Sequence, residues 1–564
     1  MSDAPRAGST AASAGALALA ALCAQQFNMA YDTVGMNVAL SEIVEDLDTS
    51  LSGMQAAIAM YAVVMAAFMI TGAKLSDRWG RRRTFMIGTA VYGLGSGITA
   101  LSPNLASLVI GWSVIEGLGS AFAQPALLTL ATLNFTGAAR TRAFAAIGAM
   151  AGFASAIAPI VTGFFASYLT WRIPFALEVL LALMVLWLTR KHLAESRLEG
   201  PQESFDLGGV ALSALGFATT VFGFILASTY GFFTARQDMV IGGATLFEEG
   251  GISPVPVVVG IGLLVLVLFA AWERWGRIRR GLEPLVRLSI LRLLTIRVGV
   301  VLTAAVFLAL AGLLFCVPVF LQISLGYSAI ETGVTLLPLS FALLATAIVA
   351  SRLSARGVAQ DRLVRVGFLT LGIGCIFLAS SLLVTATKLS LAPGLILVGL
   401  GLGLVLAIIQ DFVQSAAPPE QTSDVAGFSR SVGYLGSALG TSVAGAVLIG
   451  VLIAVGTTQV QQSPDLTGAQ KDQLVAALES STQALSDTQI RAALQGQPAQ
   501  IEQEVAGIYT EARNTGMQAA AAMLGVVSLL AFLLAFRLKT PTPEGESEAS
   551  DGFAPETGHS GTVP

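Results

Sequence analysis

Fourteen separate stretches of mostly apolar residues, each long enough to cross a bilayer, run through this chain of 564 residues. A spanning helix needs about 20 such residues, because in lipid every backbone polar group must find its hydrogen bond inside the helix. The pattern predicts an all-α integral membrane protein with fourteen transmembrane helices. They are predicted near residues 13–41, 52–74, 84–103, 105–133, 143–168, 172–190, 207–232, 253–275, 297–321, 331–353, 363–386, 388–413, 427–455 and 516–537.

Composition is also that of a membrane protein. Hydrophobic residues make up 54% of the chain and charged residues only 12%, against about 25% charged residues in soluble domains. The net charge of -4 offers no basic surface for nucleic acid. Cys23, Cys316 and Cys375 lie inside apolar stretches, so their spacing builds neither a disulfide framework nor a metal site. We therefore expect no nucleic-acid partner, no metal and no cofactor.

Lysine and arginine are unevenly divided between alternate loops. These residues are enriched in cytoplasmic loops near the helix ends, and with a cytoplasmic N-terminus 25 of the 31 fall on that side. The sequence therefore predicts that both termini are cytoplasmic and that the first helix is retained as an uncleaved membrane anchor in the bacterial plasma membrane. The six on the external side are Arg172, Arg236, Lys388, Lys471, Arg491 and Arg513.

A weak internal repeat suggests how the helices are grouped. Residues 74–78 correspond to residues 352–356, each at the cytoplasmic end of the second helix of a six-helix group, as expected for a transporter built from repeats. The tail combines proline, glycine, serine and glutamate without apolar periodicity, a composition typical of disorder. We predict a cytoplasmic N-terminus (1–12), an N-terminal six-helix bundle (13–191), two inserted helices (206–275), a basic cytoplasmic linker (276–296), a C-terminal six-helix bundle (297–537) that includes an external loop (456–515), and a disordered cytoplasmic tail (538–564).

Two acidic residues stand out inside the predicted spans. Asp32 is about nine residues from the external end of the first helix and Glu116 about eleven from that of the fourth, which places both roughly 14 to 17 Å deep. A charge at such a depth costs at least about 2.5 kcal/mol, so it usually faces a cavity or a partner. We expect both to share one cavity and to act in proton coupling and substrate binding, because burial favours the protonated form of a carboxyl group.

Polar residues at helical spacing accompany both acids. They recur every three or four residues, so each set forms a stripe along one helix face. Two interpretations stay open: a polar lining of the cavity, or hydrogen bonds between neighbouring helices, a common use of these residue types in membranes. The candidate cavity-lining residues in these stripes are Gln25, Asn28, Ser113, Ser120 and Gln124.

The loop after the second helix combines small, acidic and basic residues. Over residues 72–83 it reads Gly-Ala-Lys-Leu-Ser-Asp-Arg-Trp-Gly-Arg-Arg-Arg and resembles the signature loop of the major facilitator superfamily, although Ala73 replaces a usual glycine. Its aspartate can pair with an arginine or a helix N-terminus, and its second glycine permits a tight turn. Ordinary positive-inside charge is the alternative. The candidate cytoplasmic gating residues are Asp77, Arg78, Gly80 and Arg81.

The fifth predicted helix carries regularly placed small residues and a proline. It resembles the antiporter motif of the same superfamily, with Ala158 and Thr162 in place of two glycines. Small residues let helices approach closely and proline bends a helix, so the segment can act as a seal and pivot or simply as a packing face. The candidate motif residues are Gly148, Gly152, Pro159 and Gly163.

Further matches are similar to the fourteen-helix drug:proton antiporter branch of that superfamily. They lie at residues 32–40, 171–175, 205–208, 320–326 and 337–338. The match at 320–326 adds Gln322 to the candidate cavity lining. In the fourth helix, Ser113 stands where the branch carries an arginine, which implies that Glu116 takes over part of the proton relay.

The resemblance implies the major facilitator fold, with two six-helix bundles, two inserted helices and a substrate site between the bundles. It also implies a monomeric, proton-coupled exporter of small lipophilic, cationic compounds such as drugs or antibiotics. The sequence has no phosphate-binding glycine loop and no catalytic cluster, so we expect neither ATP hydrolysis nor an enzyme. Two alternatives stay open: a dedicated exporter of an endogenous metabolite, lipid or siderophore, and a transport-dead receptor or assembly factor whose loop 456–515 binds a partner.

Overall fold

The computed structural model describes residues 7–135, 137–196, 206–241, 244–280, 282, 284–383, 385–417, 421–464, 466–479, 490 and 499–538. Almost all of the predicted disordered tail, from residue 539 onward, lies outside these residues. The first half of the predicted cytoplasmic N-terminus, residues 1–6, also lies outside them.

Seven helices precede the inserted pair, and six of them are long. Helix α5 is continuous, but its middle part, Val109–Glu116, has π-helical hydrogen bonding between the α-helical parts Leu105–Leu108 and Gly117–Asn134. The others are α1 (Ala7–Val38), α2 (Leu40–Asp46), α3 (Leu51–Trp79), α4 (Arg81–Ala100), α6 (Gly137–Tyr168) and α7 (Arg172–His192).

The inserted pair is α8 (Leu207–Tyr230) and α9 (Pro254–Ala271), which a short antiparallel hairpin connects, with β1 at Met239–Ile241 and β2 at Ala244–Phe247. Helix α9 continues through a π-helical turn, Trp272–Arg277, into the linker, where Ile278–Arg280 and Leu288–Arg292 form 3-10 turns. The remaining helices are α10 (Leu294–Val319, then a π-helical turn at Phe320–Ser324), α11 (Ala329–Ala355), α12 (Gln360–Ser381), α13 (Lys388–Ser415), α14 (Thr422–Gln462), α15 (Gly468–Glu479) and α16 (Ala499–Ala535).

Twelve helices in the described part of the chain are long and apolar enough to span a membrane. The all-α membrane class is therefore confirmed. The predicted first and third spans are present as helices, α1 and α4, but do not belong to the twelve. Three arginines open α4 and lower its mean hydropathy. The count of fourteen spans stays a prediction.

The long helices pack in two groups. Helices α1 and α3 to α7 contact one another, and helices α10 to α14 contact one another and α16. The two groups meet where α6 packs on α11 and where α3 packs on α14. Helices α8 and α9 pair with each other, and α8 lies against both α3 and α14. The inserted pair therefore rests on one of the two seams between the groups.

Glycines bring several of these helices into backbone contact. A Cβ atom added at Gly440 in α14 would lie 2.1 Å from the carbonyl oxygen of Leu308 in α10. One added at Gly333 in α11 would lie 2.0 Å from the carbonyl oxygen of Pro159 in α6. Helices in lipid associate largely by such close packing, so these glycines hold the helix pairs at short distance.

The last two long helices extend beyond their predicted ends. Helix α14 continues to Gln462 rather than 455, and α16 begins at Ala499 rather than 516. Much of the predicted external loop 456–515 is therefore helix. These extra turns are too polar to be recognised as membrane spans, but buried residues such as Val505 and Tyr509 pack them against neighbouring helices.

Candidate functional site

Three acidic side chains meet in the interior of the N-terminal helix group. Asp32 comes from α1, Glu116 from α5 and Glu178 from α7, and one carboxylate oxygen of each lies within 4.8 Å of the other two. Asp32 and Glu116 are fully buried and Glu178 is 2% exposed. We call these residues the carboxylate triad.

The backbone around Glu116 explains how α5 reaches the other two acids. Glu116 is the last residue of the π-helical part of α5, and such turns inside α-helices often occur at functional sites. On the other side, Gly95 lets α4 pack directly on this turn, because a Cβ at Gly95 would lie 2.5 Å from the backbone nitrogen of Glu116. Glycine at position 95 therefore allows α4 to pack closely against the backbone of Glu116.

Neutral donors surround two of the three acids. The indole nitrogen of Trp112 donates to Asp32 Oδ1 at 2.7 Å. The hydroxyls of Tyr92 and Ser96 donate to Glu178 Oε2 at 3.1 and 3.3 Å. Such bonds partly offset the cost of burying an ionised carboxylate, but they bring no positive charge to balance it.

The remaining oxygens of the triad lack hydrogen-bond donors. Neither oxygen of Glu116 has a donor in bonding geometry, nor do Asp32 Oδ2 and Glu178 Oε1, among the described residues. None of the ion pairs within the described ranges involves the triad. The cluster therefore has unused capacity for protons or a cation.

Glu178 was not singled out from the sequence. It lies six residues inside the predicted sixth span, 172–190, where the same energetic argument that selected Asp32 and Glu116 applies. The polar stripe that drew attention to the other two acids is missing from α7, so the charge alone was the available signal.

The structure gives the predicted polar stripes different roles. Asn28 belongs with the triad, because its amide nitrogen donates to the backbone oxygen of Glu178 at 3.2 Å. Ser113 instead donates to the backbone oxygen of Ala57 in α3 at 2.8 Å, a bond between helices. Gln25 is fully buried, and neither polar atom of its side chain has a partner among the described residues.

The other two members of the α5 stripe lie farther along the helix. Ser120 bonds the hydroxyl of Tyr61, whose ring stacks on Trp112 with centroids 4.8 Å apart. Gln124 accepts a hydrogen bond of 3.0 Å from the hydroxyl of Tyr434 in α14. The stripe therefore runs from the triad to the seam between the two helix groups.

The loop between α3 and α4 is fixed by local bonds. Arg81 pairs with Asp77 at 3.1 Å, one turn earlier along the chain. Gly80 has φ +102°, and a Cβ there would lie 2.5 Å from the carboxylate of Glu195. That carboxylate accepts bonds from the backbone nitrogens of residues 82 and 83, at the positive end of the α4 dipole. Arg78 lies in the last turn of α3.

A sequence profile of the Major Facilitator Superfamily matches residues 21–441. The chain belongs to this superfamily. It is therefore a multi-pass transporter of the plasma membrane, in a family whose members move small molecules across membranes.

Curated relatives of the chain cover most of its length. It is 29% identical over 427 residues to the tetracenomycin C resistance and export protein of Streptomyces glaucescens, which covers 74% of this chain and 73% of that one. It is 28% identical over 434 residues to the multidrug resistance protein Stp of Mycobacterium tuberculosis, with 76% and 75% covered. Family and relatives together place the chain among bacterial transporters of the superfamily.

Solved transporter structures share the fold. The bacterial homolog of the human lysosomal transporter Spinster, in its inward-facing and unoccupied conformation, superposes with a TM-score of 0.57 at 14% identity, over 94% of this chain and 99% of that one. At this identity the likeness concerns the fold alone.

The segment similar to the superfamily's antiporter motif lies on the second seam. In α6, Gly152 faces Leu344 and Gly163 faces the backbone of Ala329, both in α11. Pro159 lies opposite Gly333 of the same helix. Gly148 is exposed and a Cβ there would meet nothing within 4 Å. Three of the four motif residues therefore contact the other helix group.

The two groups also bond to each other at both ends. Near the predicted external face, Gln322 donates to the backbone oxygen of Val38 at 2.9 Å and accepts from the backbone nitrogen of Ser41 at 3.1 Å. At the opposite end, Lys74 of α3 pairs with Asp424 of α14 at 3.7 Å. Gln322 therefore contributes to an end contact between the groups rather than to the surroundings of the triad.

Proposed function

We propose that this superfamily member is a proton-coupled exporter of small lipophilic, cationic compounds, such as drugs or antibiotics, acting as a monomer and without ATP. The observation that carries the proposal is the carboxylate triad, three buried acids from three helices without a basic partner among the described residues. The direction of export assumes that both termini are cytoplasmic, as the sequence predicts.

Electrostatics makes the triad suited to exchange. The three oxygens lie within 4.8 Å of one another, and two unit charges at that separation repel by about 3.5 kcal/mol at an effective dielectric constant of 20. Three ionised carboxylates at this distance would repel strongly, so the triad holds at least one proton whenever no other cation is present. A cationic substrate and protons then compete for the same negative charge.

Competition of this kind gives antiport. A lipophilic cation entering from the cytoplasm replaces protons at the triad, and protons entering from the acidic external side later displace the cation. The stacked rings of Trp112 and Tyr61 lie directly beside Asp32 and offer aromatic faces, which attract cations. Each full cycle moves substrate out and protons in.

The names of the relatives support the direction of transport. They include a tetracenomycin C resistance and export protein and a multidrug resistance protein. Homology at this level supports export of foreign or antibiotic compounds by this chain.

The test is uptake of the fluorescent lipophilic cation ethidium into inside-out vesicles with an imposed pH gradient. Wild type should accumulate ethidium, and Asp32→Asn should lose gradient-driven accumulation at unchanged expression. Glu45→Gln is the matched control, because Glu45 is an exposed acid of α2 outside the triad. A sodium gradient is imposed in a parallel arm, since carboxylate oxygens also bind hard cations.

Each outcome decides something. Full activity of Asp32→Asn would remove the triad from coupling, and accumulation driven by sodium alone would replace the proton as the coupling ion. No accumulation by wild type would favour a dedicated exporter of an endogenous compound. In that case residues 466–479 are deleted. Retained transport of an endogenous compound would identify a transporter, whereas loss of partner binding would identify a receptor that uses its external segment.

A further inference from the structure

A half-buried positive charge lies on α14 of the C-terminal helix group. Arg430 is the ninth residue of α14, and its side-chain Nε is buried without a hydrogen-bond partner. The guanidinium makes no hydrogen bond or ion pair with any residue that the structure describes. Arginine stays protonated at any accessible pH. Its unpartnered N–H groups can therefore donate hydrogen bonds to a ligand.

Aromatic rings surround Arg430. The guanidinium carbon lies 5.8 Å from the ring centroid of Phe307 in α10. The ring of Tyr434, one turn further along α14, meets Phe307 edge to face at 5.7 Å. The hydroxyl of Tyr434 in turn bonds Gln124 of α5. Arg430 therefore lies at the seam where helices of both groups meet.

Another arginine of the same helix group shows what a purely structural role looks like. Arg513 in α16 is fully buried and donates through Nε to the hydroxyl of Ser324 at 3.1 Å. Buried charged groups are ordinarily satisfied in this way. Arg430 lacks such a bond although Tyr434 is close enough to interact with it electrostatically. Arg430, unlike Arg513, is only half-buried, so part of its side chain stays accessible at the seam.

The Arg430 surroundings are separate from the carboxylate triad. Gln124 of α5 bonds Tyr434, the neighbour of Arg430. It follows Glu116 by eight residues, or roughly 12 Å at 1.5 Å per residue. The triad therefore lies at one end of the α5 stripe, and Tyr434 contacts its other end. A ligand that contacts Arg430 is not required to contact the triad.

We propose that Arg430, Phe307 and Tyr434 form a subsite for an ionised acid or phenolate oxygen of an aromatic, lipophilic substrate. The planar guanidinium matches such oxygens with a fork of donors, and the two rings bind the attached aromatic group. The proposal rests on the proposed export function and deepens it: the substrates include aromatic acids and amphoteric compounds whose cationic end meets the triad.

Three matched probes test the subsite on the purified full-length chain. They are 2-naphthoate, 2-naphthamide and 2-naphthylmethylammonium, which share one ring system and differ in the charge of the head group. Equilibrium binding at pH 7 is measured by scintillation proximity with tritiated 2-naphthoate, and the other two are measured by competition. Wild type should bind the carboxylate about ten-fold more tightly than the amide, as one charge-assisted hydrogen bond provides.

Three variants carry the comparison. Arg430→Gln should reduce the preference for carboxylate over amide to about one while keeping the wild-type affinity for the amide. Arg430→Lys should keep part of the preference, because it retains the charge but loses the fork. Arg362→Gln, at an exposed arginine of α12, should keep all of it. Equal wild-type affinities for carboxylate and amide, or an unchanged preference in Arg430→Gln, would overturn the proposal.

A chemical measurement on wild type covers the case in which Arg430→Gln does not fold. Modification of Arg430 by phenylglyoxal, followed by mass spectrometry, should be slowed more by 2-naphthoate than by the same concentration of 2-naphthamide; equal rates would again overturn the subsite. These are binding measurements without a gradient. Loss of proton coupling in the vesicle assay would therefore leave them unaffected, and the two proposals fail separately.

Discussion

The two helix groups hold opposite charges in quite different surroundings. The N-terminal group holds Asp32, Glu116 and Glu178 within a few ångströms of one another, beside hydrogen-bond donors such as Trp112. The C-terminal group holds Arg430 beside aromatic rings. The triad has crowded charges that a proton can cancel, whereas Arg430 carries a charge that no accessible pH removes.

This difference separates two tasks that a transporter must combine. Coupling to a proton gradient needs groups whose charge changes during the cycle, which carboxyls in a crowded, buried site provide. Selecting a substrate needs a feature that stays constant while the cycle proceeds, which arginine provides. The comparison teaches that changes in the N-terminal group should alter pH dependence, and changes at Arg430 should alter substrate preference.

The largest effect is expected at the acid that sequence reasoning overlooked. Glu178→Gln removes one of the three carboxyls and should reduce pH-driven ethidium accumulation at least about ten-fold, with a changed pH profile, because fewer protons bind per cycle. Glu178→Asp keeps the charge and should retain part of the activity. Arg430→Lys should leave the pH profile at its wild-type position, since its charge does not titrate.

Initial rates of accumulation across pH 5.5 to 8.5 check this prediction. If Arg430→Lys shifted the profile as far as Glu178→Gln does, the division of tasks between the two groups would be wrong. If Glu178→Gln behaved as wild type, Glu178 would be a structural neighbour of Asp32 and Glu116.

The next effect concerns the close packing behind the triad. Gly95→Ala places a methyl group 2.5 to 2.7 Å from the backbone and Cβ of Glu116, so α4 must move and stability should fall by about 1 to 3 kcal/mol. Gly97→Ala is the matched control in the same helix, because its nearest neighbour would be Val179 at 3.7 Å. That variant should be neutral or stabilised by up to about 1 kcal/mol.

Melting temperatures in detergent, followed by fluorescence-detected size exclusion, compare the two variants. If Gly95→Ala had the same melting temperature as Gly97→Ala, α4 could move away from the triad at little cost in stability. The triad would then be a loosely held cluster rather than a preorganised one.

The sequence was sufficient for the class of fold and for part of the site. Apolar stretches of spanning length predicted the helices, and the energetic cost of a buried charge selected Asp32 and Glu116. The same rule reaches Glu178 when it is applied to every predicted span. What it could not predict is the convergence of three helices, which depends on a π-helical turn at Val109–Glu116 and on the contact at Gly95.

Two arginines lie further inside their helices than the predicted spans imply. The predicted spans begin at residues 427 and 516, which puts Arg430 in the first turn of its helix and Arg513 in the external loop. The structure begins these helices at Thr422 and Ala499, which places both arginines well inside them. Hydropathy marks where a helix is apolar, whereas packing against neighbouring helices decides where it ends.

The smallest loss of stability is expected at Gly357, one of two loop glycines at corresponding places in the two groups. Gly357 follows α11 with φ +87° in a Schellman motif, in which Val358 bonds the oxygen of Leu353, and a Cβ there would meet nothing within 4 Å. Gly80 follows α3 with φ +102°, and a Cβ there would meet the carboxylate of Glu195. Both positions need glycine, but only Gly80 also needs the space.

Gly357→Ala should therefore cost about 1 kcal/mol from backbone strain alone, and Gly80→Ala about 1 to 3 kcal/mol. The second change also displaces Glu195 from the N-terminus of α4, so shortening that side chain by Glu195→Asp in the Gly80→Ala background should recover part of the loss. Melting temperatures of the two single variants and the double variant decide this. Equal losses in both loops would mean that the Glu195 contact adds no stability and that the N-terminal loop is held only by its backbone.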